Sequence, residues 1–129
     1  MYTDPFAHLV RMEEYRNVDQ KILEKLPERP ERSHKGMFGK ALCIAGSVNM
    51  AGAAYLCAGA AYRSGAGLVR ILTPEENRVI LQTLLPEAVM TTFEQNELEA
   101  LDNTLEEALS WATVAAIGPG LGRKPWAYH

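Results

Sequence analysis

The residues best placed to do chemistry in this sequence are small rather than charged. Two glycine-rich bends, Gly46-Ser47-Val48-Asn49-Met50-Ala51-Gly52-Ala53-Ala54 and Gly118-Pro119-Gly120-Leu121-Gly122, each follow a short apolar run. Small residues let a ligand approach the backbone. The N–H groups at the start of a following helix can then hold an anionic group, helped by the helix dipole. A tight strand-to-helix turn with no ligand explains the first bend equally well, and composition leaves the two readings level. The second bend is not a GxGxxG fingerprint, because its third glycine comes too early. Gly65-Ala66-Gly67 precedes a strand instead of following one. Gly36-Met37-Phe38-Gly39-Lys40 is too short for a phosphate loop and also precedes a strand.

The titratable residues offer less. Ser33-His34-Lys35-Gly36 is the most unusual polar tetrapeptide. A lone loop histidine is more often a surface or hydrogen-bonding residue than a catalyst, and Lys35 reads as solvated. Neither is given a catalytic role. The pairs Glu13-Glu14, Glu75-Glu76 and Glu106-Glu107 are adjacent on helices or at their starts, so they do not share a face for acid–base work. Cys43 and Cys57 lack a CxxC spacing and nearby histidines; they read as small buried hydrophobes in a reducing cytoplasm. No metal site is visible.

The 129 residues suffice for one domain, and 47% hydrophobic residues can fill its core. The net charge of -3 argues against a general nucleic-acid binder. Residues 41–62 carry no charge, but they are rich in Ala and Gly and broken by Gly46-Ser47 and Asn49, so a membrane span is rejected. Apolar residues from Val10 to Leu26 recur at helical intervals, which predicts a helical segment over 1–26, ended by Pro27 and Pro30. Strands are expected over 41–45, 68–72, 88–93 and 113–117. Helices are expected over 50–63, from Thr73 to about Leu85, and over 97–110, the last with Leu98, Leu101, Leu105 and Leu109 on one side. In the second helix Thr73 should cap the first turn, with Pro74 at its first position and Glu76 closing a capping box. This alternation predicts an α/β fold with a mainly parallel sheet, whose ligands bind at the carboxyl ends of the strands.

Taken in order, Leu26-Pro27-Glu28-Arg29, residues 33–39, Ala45-Gly46-Ser47, residues 50–54, Arg63-Ser64-Gly65-Ala66-Gly67-Leu68-Val69, Leu85-Pro86-Glu87-Ala88 and residues 118–122 resemble the ADP- or ATP-dependent NAD(P)H-hydrate dehydratases of the ribokinase-like superfamily. The resemblance covers about residues 25–122. It implies a ribokinase-like three-layer α/β/α fold, of which residues 27–129 are the N-terminal part of an incomplete dehydratase domain.

The resemblance also implies a carbon–oxygen lyase of metabolite repair, cytoplasmic, acting on hydrated NADH or NADPH. A nucleotide, ADP or ATP with Mg2+, phosphorylates the ring hydroxyl, and phosphate then leaves as the ring nitrogen pushes electrons. The family's Gly-Ala-Gly-Asp or Gly-Thr-Gly-Asp motif, with its catalytic aspartate, is not found here, since Leu68 follows Gly65-Ala66-Gly67. No catalytic residue is therefore assigned, and these residues alone are expected to be inactive. The nucleotide-binding segments are expected downstream. The last strand is expected to leave an apolar edge. Carried over as substrate-binding are Gly52 and Ala53, from the Met-x-Gly-Ala-Ala segment, and Gly118 and Gly120, from the Gly-Pro-Gly turn. The resemblance further suggests a homo-oligomer and a fused or separate epimerase. A non-catalytic nucleotide-binding remnant and a small-molecule kinase of the same superfamily are the alternatives; residues 33–36 and 46–54 favour the dehydratase.

Overall fold

The computed structural model describes residues 24–26 and 28–128. The chain divides into Met1–Arg32 and Ser33–His129. In the first unit residues 24–26 form an exposed turn and 28–32 are exposed and irregular. The rest of the helical segment expected over 1–26 falls outside the described residues.

The second unit alternates strand and helix. It runs β1 (Lys40–Ile44), α1 (Ala51–Arg63), β2 (Leu68–Pro74), α2 (Arg78–Leu84), β3 (Val89–Phe93), α3 (Leu98–Trp111) and β4 (Val114–Ile117). Short 3-10 turns occupy Lys35–Phe38, Glu75–Asn77 and Pro125–Tyr128. The sheet order is β3-β2-β1-β4 and every neighbouring pair is parallel. The chain thus steps outward from β1 to β3, then returns across the sheet to lay β4 on the other side of β1.

The period-2 alternation of each strand sends its side chains into two cores. On one face Ala41, Cys43, Val69 and Ile71 pack against Ala54 and Ala58 of α1 and Leu81 of α2. Ala54 and Ala58 are fully buried, and their lack of bulk brings the α1 backbone close to the sheet. On the other face Leu42, Ile44, Leu72 and Phe93 meet Leu101 and Ala108 of α3, with Trp126 edge-on to Phe93 at 5.0 Å. Burying a leucine such as Leu42 or Leu72 stabilises by about 1.5–3 kcal/mol. The three layers expected for a ribokinase-like fold are therefore present.

Two local expectations need correction. Thr73 does not cap a helix. β2 continues through Pro74, Glu75–Asn77 forms a 3-10 turn, and α2 begins only at Arg78 with no capping side chain. The reason is that Thr73 is fully buried and its Oγ1 accepts a hydrogen bond from Asn77 Nδ2 at 2.9 Å, so it is spent inside the strand tip. Cys57, expected to be buried, is half-buried, although it packs against the cluster holding Cys43. Burial, reinforced by Cys57, pushes the Cys43 thiol up to about 12, as a small hydrophobe in a core requires. The β4 edge is apolar as expected, with Val114 61% and Ile117 62% exposed.

Candidate functional site

Because β2 and β3 extend from one side of β1 and β4 lies on the other, the strand order reverses between β1 and β4. In open parallel sheets the crevice at such a reversal, at the carboxyl ends of the strands, is where ligands bind. The two glycine-rich bends leave the sheet at this point. They are tied together by backbone hydrogen bonds: Gly46 N–H donates to Pro119 O at 2.8 Å and Gly118 N–H to Ile44 O at 3.2 Å.

The bends also touch through their small residues. A β-carbon on Gly120 would lie 2.5 Å from that of Ala53 and 3.5 Å from the Gly46 Cα. Gly120 adopts φ +69, a backbone conformation that a side chain would strain. Gly52 and Gly118, by contrast, face open space: a β-carbon on either would meet nothing within 4 Å. Of the four residues expected to bind substrate, the fold joins Ala53 to Gly120 and leaves Gly52 and Gly118 with room beside them.

A polar knot beneath the first bend went unread in the sequence. Asn77 is 2% exposed, and its Nδ2 donates to Ser47 O at 3.2 Å and to Thr73 Oγ1. It thereby joins the tip of β2 to the bend after β1. Gly46 is enclosed by the same group, because its β-carbon position is 3.0 Å from Ala54 and 3.1 Å from Thr73 Oγ1. The available signal is the i,i+4 spacing of Thr73 and Asn77 just after the apolar run of β2. In the turn after β2, Glu75 takes two hydrogen bonds from Arg78 at 2.7 and 2.9 Å and one from Thr92 of β3. The Arg78 guanidinium, then the Thr92 hydroxyl, hold the Glu75 carboxyl below its usual value.

The 33–39 segment lies at the opposite end of the sheet. It precedes β1, and Gly67 N–H donates to Gly39 O at 3.1 Å just before β2. A β-carbon on Gly67 would land on the Lys35 carbonyl oxygen. The segment and the Gly65-Ala66-Gly67 stretch are therefore two halves of one packing contact, and His34 and Lys35 sit away from the strand tips where the bends meet.

Among the described residues, no three His, Cys, Asp or Glu side chains converge to hold a metal ion, and no helix is long and apolar enough to cross a membrane. An apolar hollow of about 190 Å³ opens on the α3 side, lined by residues including Leu72, Phe93, Leu101, Ile117, Leu121 and Trp126. None of Gly52, Ala53, Gly118 or Gly120 lines it.

Residues 41–129 match the family model described as NAD(P)H-hydrate dehydratase. The chain is 36% identical over 102 residues to the ADP-dependent (S)-NAD(P)H-hydrate dehydratase of Listeria monocytogenes, covering 79% of this chain and 35% of that protein. It is 40% identical over 108 residues to the bifunctional NAD(P)H-hydrate repair enzyme Nnr of Vibrio cholerae, covering 83% of this chain and 21% of that protein. The chain thus spans between about a fifth and a third of the length of these curated relatives. Among solved structures, the ADP/ATP-dependent NAD(P)H-hydrate dehydratase of Bacillus subtilis, co-crystallised with ATP/Mg2+, superimposes with a TM-score of 0.69 at 38% identity. That match covers 84% of this chain and 38% of the other. A ribokinase-like superfamily protein of Enterococcus faecalis gives 0.67 at 34% identity, covering 85% and 37%. By these matches, and by a fold whose glycine bends meet where the strand order reverses, the chain belongs to the NAD(P)H-hydrate dehydratase family.

Proposed function

We propose that this chain supplies one wall of a site for hydrated NADH or NADPH, formed by Gly52 and Ala53 on one bend and Gly118 and Gly120 on the other. The observation that carries the reading is the meeting of these bends at the β1/β4 reversal, with Gly120 packed on Ala53 and open space beside Gly52 and Gly118. Such a wall contributes shape and backbone hydrogen bonds. Dehydration also needs a base beside the leaving hydroxyl, or a nucleotide to convert that hydroxyl into a better leaving group. Among the described residues no three His, Cys, Asp or Glu side chains converge to hold a metal ion. ADP or ATP with Mg2+ would supply the phosphoryl group, and this chain's own residues contribute the wall.

In this reading residues 27–129 form the first part of a dehydratase domain preceded by the 1–26 segment. Free Cys43 and Cys57 suit a reducing cytoplasm. Exposed Leu56 and Val79, on the outer side of α1 and α2, suit a homo-oligomer. An epimerase, fused or separate, is the expected companion in repair.

Amide chemical shifts of the 15N-labelled chain, titrated with hydrated NADPH, test the reading. Saturable shifts at the amides of Gly52, Ala53, Gly118 and Gly120 are expected. No turnover is expected from these 129 residues with ADP or ATP. Shifts confined to other surfaces, or turnover at rates typical of enzymes, would overturn it.

A further inference from the structure

We infer that Cys43 and Cys57 are an oxidant-sensitive pair, which a peroxide converts into a disulfide that staples α1 to β1 and closes a loop around the first glycine bend. The inference is independent of what the bends bind.

The chain has 2 cysteines, and both are free. The fold brings them together. Cys43, near the end of β1, belongs to the core on the α1 face of the sheet, and Cys57 of α1 packs against that same cluster. Ala54 and Ala58, one turn before Cys57 and directly after it, are fully buried and hold the helix close to the strand. The Cys57 side chain is a direct hydrogen-bonding neighbour of the Cys43 thiol. A disulfide needs its sulfurs about 2.05 Å apart, so thiols already facing each other need only a short approach.

The two thiols are unequal. Cys43 is 1% exposed, whereas Cys57 is half-buried and open to a small oxidant. Burial first, then the charge and hydrogen bond of Cys57, pushes the Cys43 thiol up to about 12. Cys57 is therefore the sulfur that meets the oxidant, and Cys43 the one that resolves it.

The chemistry balances with hydrogen peroxide as the oxidant. Cys57 Sγ attacks one peroxide oxygen, the O–O bond breaks, and the departing hydroxide takes a proton and leaves as water. Cys57 is then a sulfenic acid. The Cys43 sulfur attacks the Cys57 sulfur, the S–S bond forms, the S–O bond breaks, and this hydroxide takes the Cys43 proton as a second water. Two electrons pass from the sulfurs to the peroxide. A dithiol reductant reverses the change.

The loop so closed, residues 43–57, is about 15 residues long and holds the whole bend from Gly46 to Ala54. The crosslink removes freedom from the unfolded chain and keeps α1 from moving off β1.

The reduced chain would be treated with hydrogen peroxide. Its intact mass should fall by two hydrogens, both thiols should stop reacting with a maleimide, and no covalent dimer should appear on a non-reducing gel. The melting temperature should rise by about 10 °C, and amide exchange across residues 46–54 should slow; dithiothreitol should reverse both. Cys43→Ala keeps a small apolar group in the core and should leave Cys57 as a sulfenic acid that dimedone captures. Cys57→Ser should leave Cys43 reduced at the same dose. Both thiols still free in the wild type, oxygen added to Cys57 with Cys43 left reduced, or a disulfide joining two chains would each overturn the pair. A disulfide within the chain with melting temperature and exchange unchanged would overturn the staple. Hydrated NADPH enters none of these readouts, so their failure leaves the substrate reading standing.

Discussion

Gly120 stands against the methyl group of Ala53 so closely that a β-carbon on it would lie 2.5 Å away. This contact makes one unit of two bends 67 positions apart in sequence (120 − 53).

Gly120→Ala should therefore destabilise the chain by about 2–4 kcal/mol, through the φ +69 backbone and the clash together. Ala53→Gly alone should cost about 0.5–1 kcal/mol, from added chain entropy in a helix. Combined, the two changes should recover the clash component but not the backbone component. Denaturant melts followed by tryptophan fluorescence give the cycle. A strictly additive double mutant would show that the contact does not constrain the bends.

The glycines at 59 and 67 should respond in opposite directions to the same substitution. Gly59 lies inside α1 with nothing within 4 Å of its β-carbon position, so Gly59→Ala should stabilise by about 0.5–1 kcal/mol. At Gly67 the added carbon would occupy the place of the Lys35 carbonyl oxygen. Gly67→Ala should displace the 33–39 segment and speed hydrogen exchange at Leu68 N–H, which donates to Gly39 O. Unchanged exchange at Leu68 would refute the assignment of residues 33–39 to packing.

Much of this architecture was legible because both periodicities were clean. The runs at 41–45 and 113–117 are short, apolar and followed by glycine, and β1 and β4 match them within a residue at either end. The residues of β4 do not by themselves say that it lies beside β1 instead of β3; the family resemblance puts the two glycine bends on neighbouring parallel strands, and β1 and β4 do pair in parallel. Local capping logic also failed at Thr73, where a tertiary hydrogen bond from Asn77 outcompeted the helix start. Gly52, Ala53, Gly118 and Gly120 could be named from sequence. Ser47 and Asn77 gained meaning only once their burial was known.

Asn77 is the residue whose loss should loosen the first bend. Asn77→Ala removes two buried hydrogen bonds and should cost about 1–3 kcal/mol. Asn77→Asp should cost more at neutral pH, since it turns an acceptor-only carboxylate toward the Ser47 carbonyl. Burial and that carbonyl raise such a group's folded pKa, so stability should return as pH falls and the acid becomes protonated. Urea midpoints of both variants at pH 7 and pH 5 decide it. Equal stability of Asn77→Asp at the two values would mean that the Ser47 carbonyl is not its partner.

Glu75 carries the opposite pH sign. Hydrogen bonds from Arg78, and secondarily from Thr92, lower its pKa from the ordinary 4.5. A carboxyl depressed in the folded state stabilises above its unfolded pKa, and that contribution is lost as pH falls through the folded value. Both partners are partly exposed, at 38% and 40%, so solvent screens the pair and the effect should be small. Wild type should exceed Glu75→Gln in urea midpoint at pH 7, and the gap should close as the pH falls below 4.5 and the carboxyl is protonated. Raising salt at pH 7 should narrow the gap, because a partly exposed ion pair is screened where a buried hydrogen bond is not. A gap that persists unchanged at pH 3 would assign the role of Glu75 to packing against Thr92 rather than to its charge.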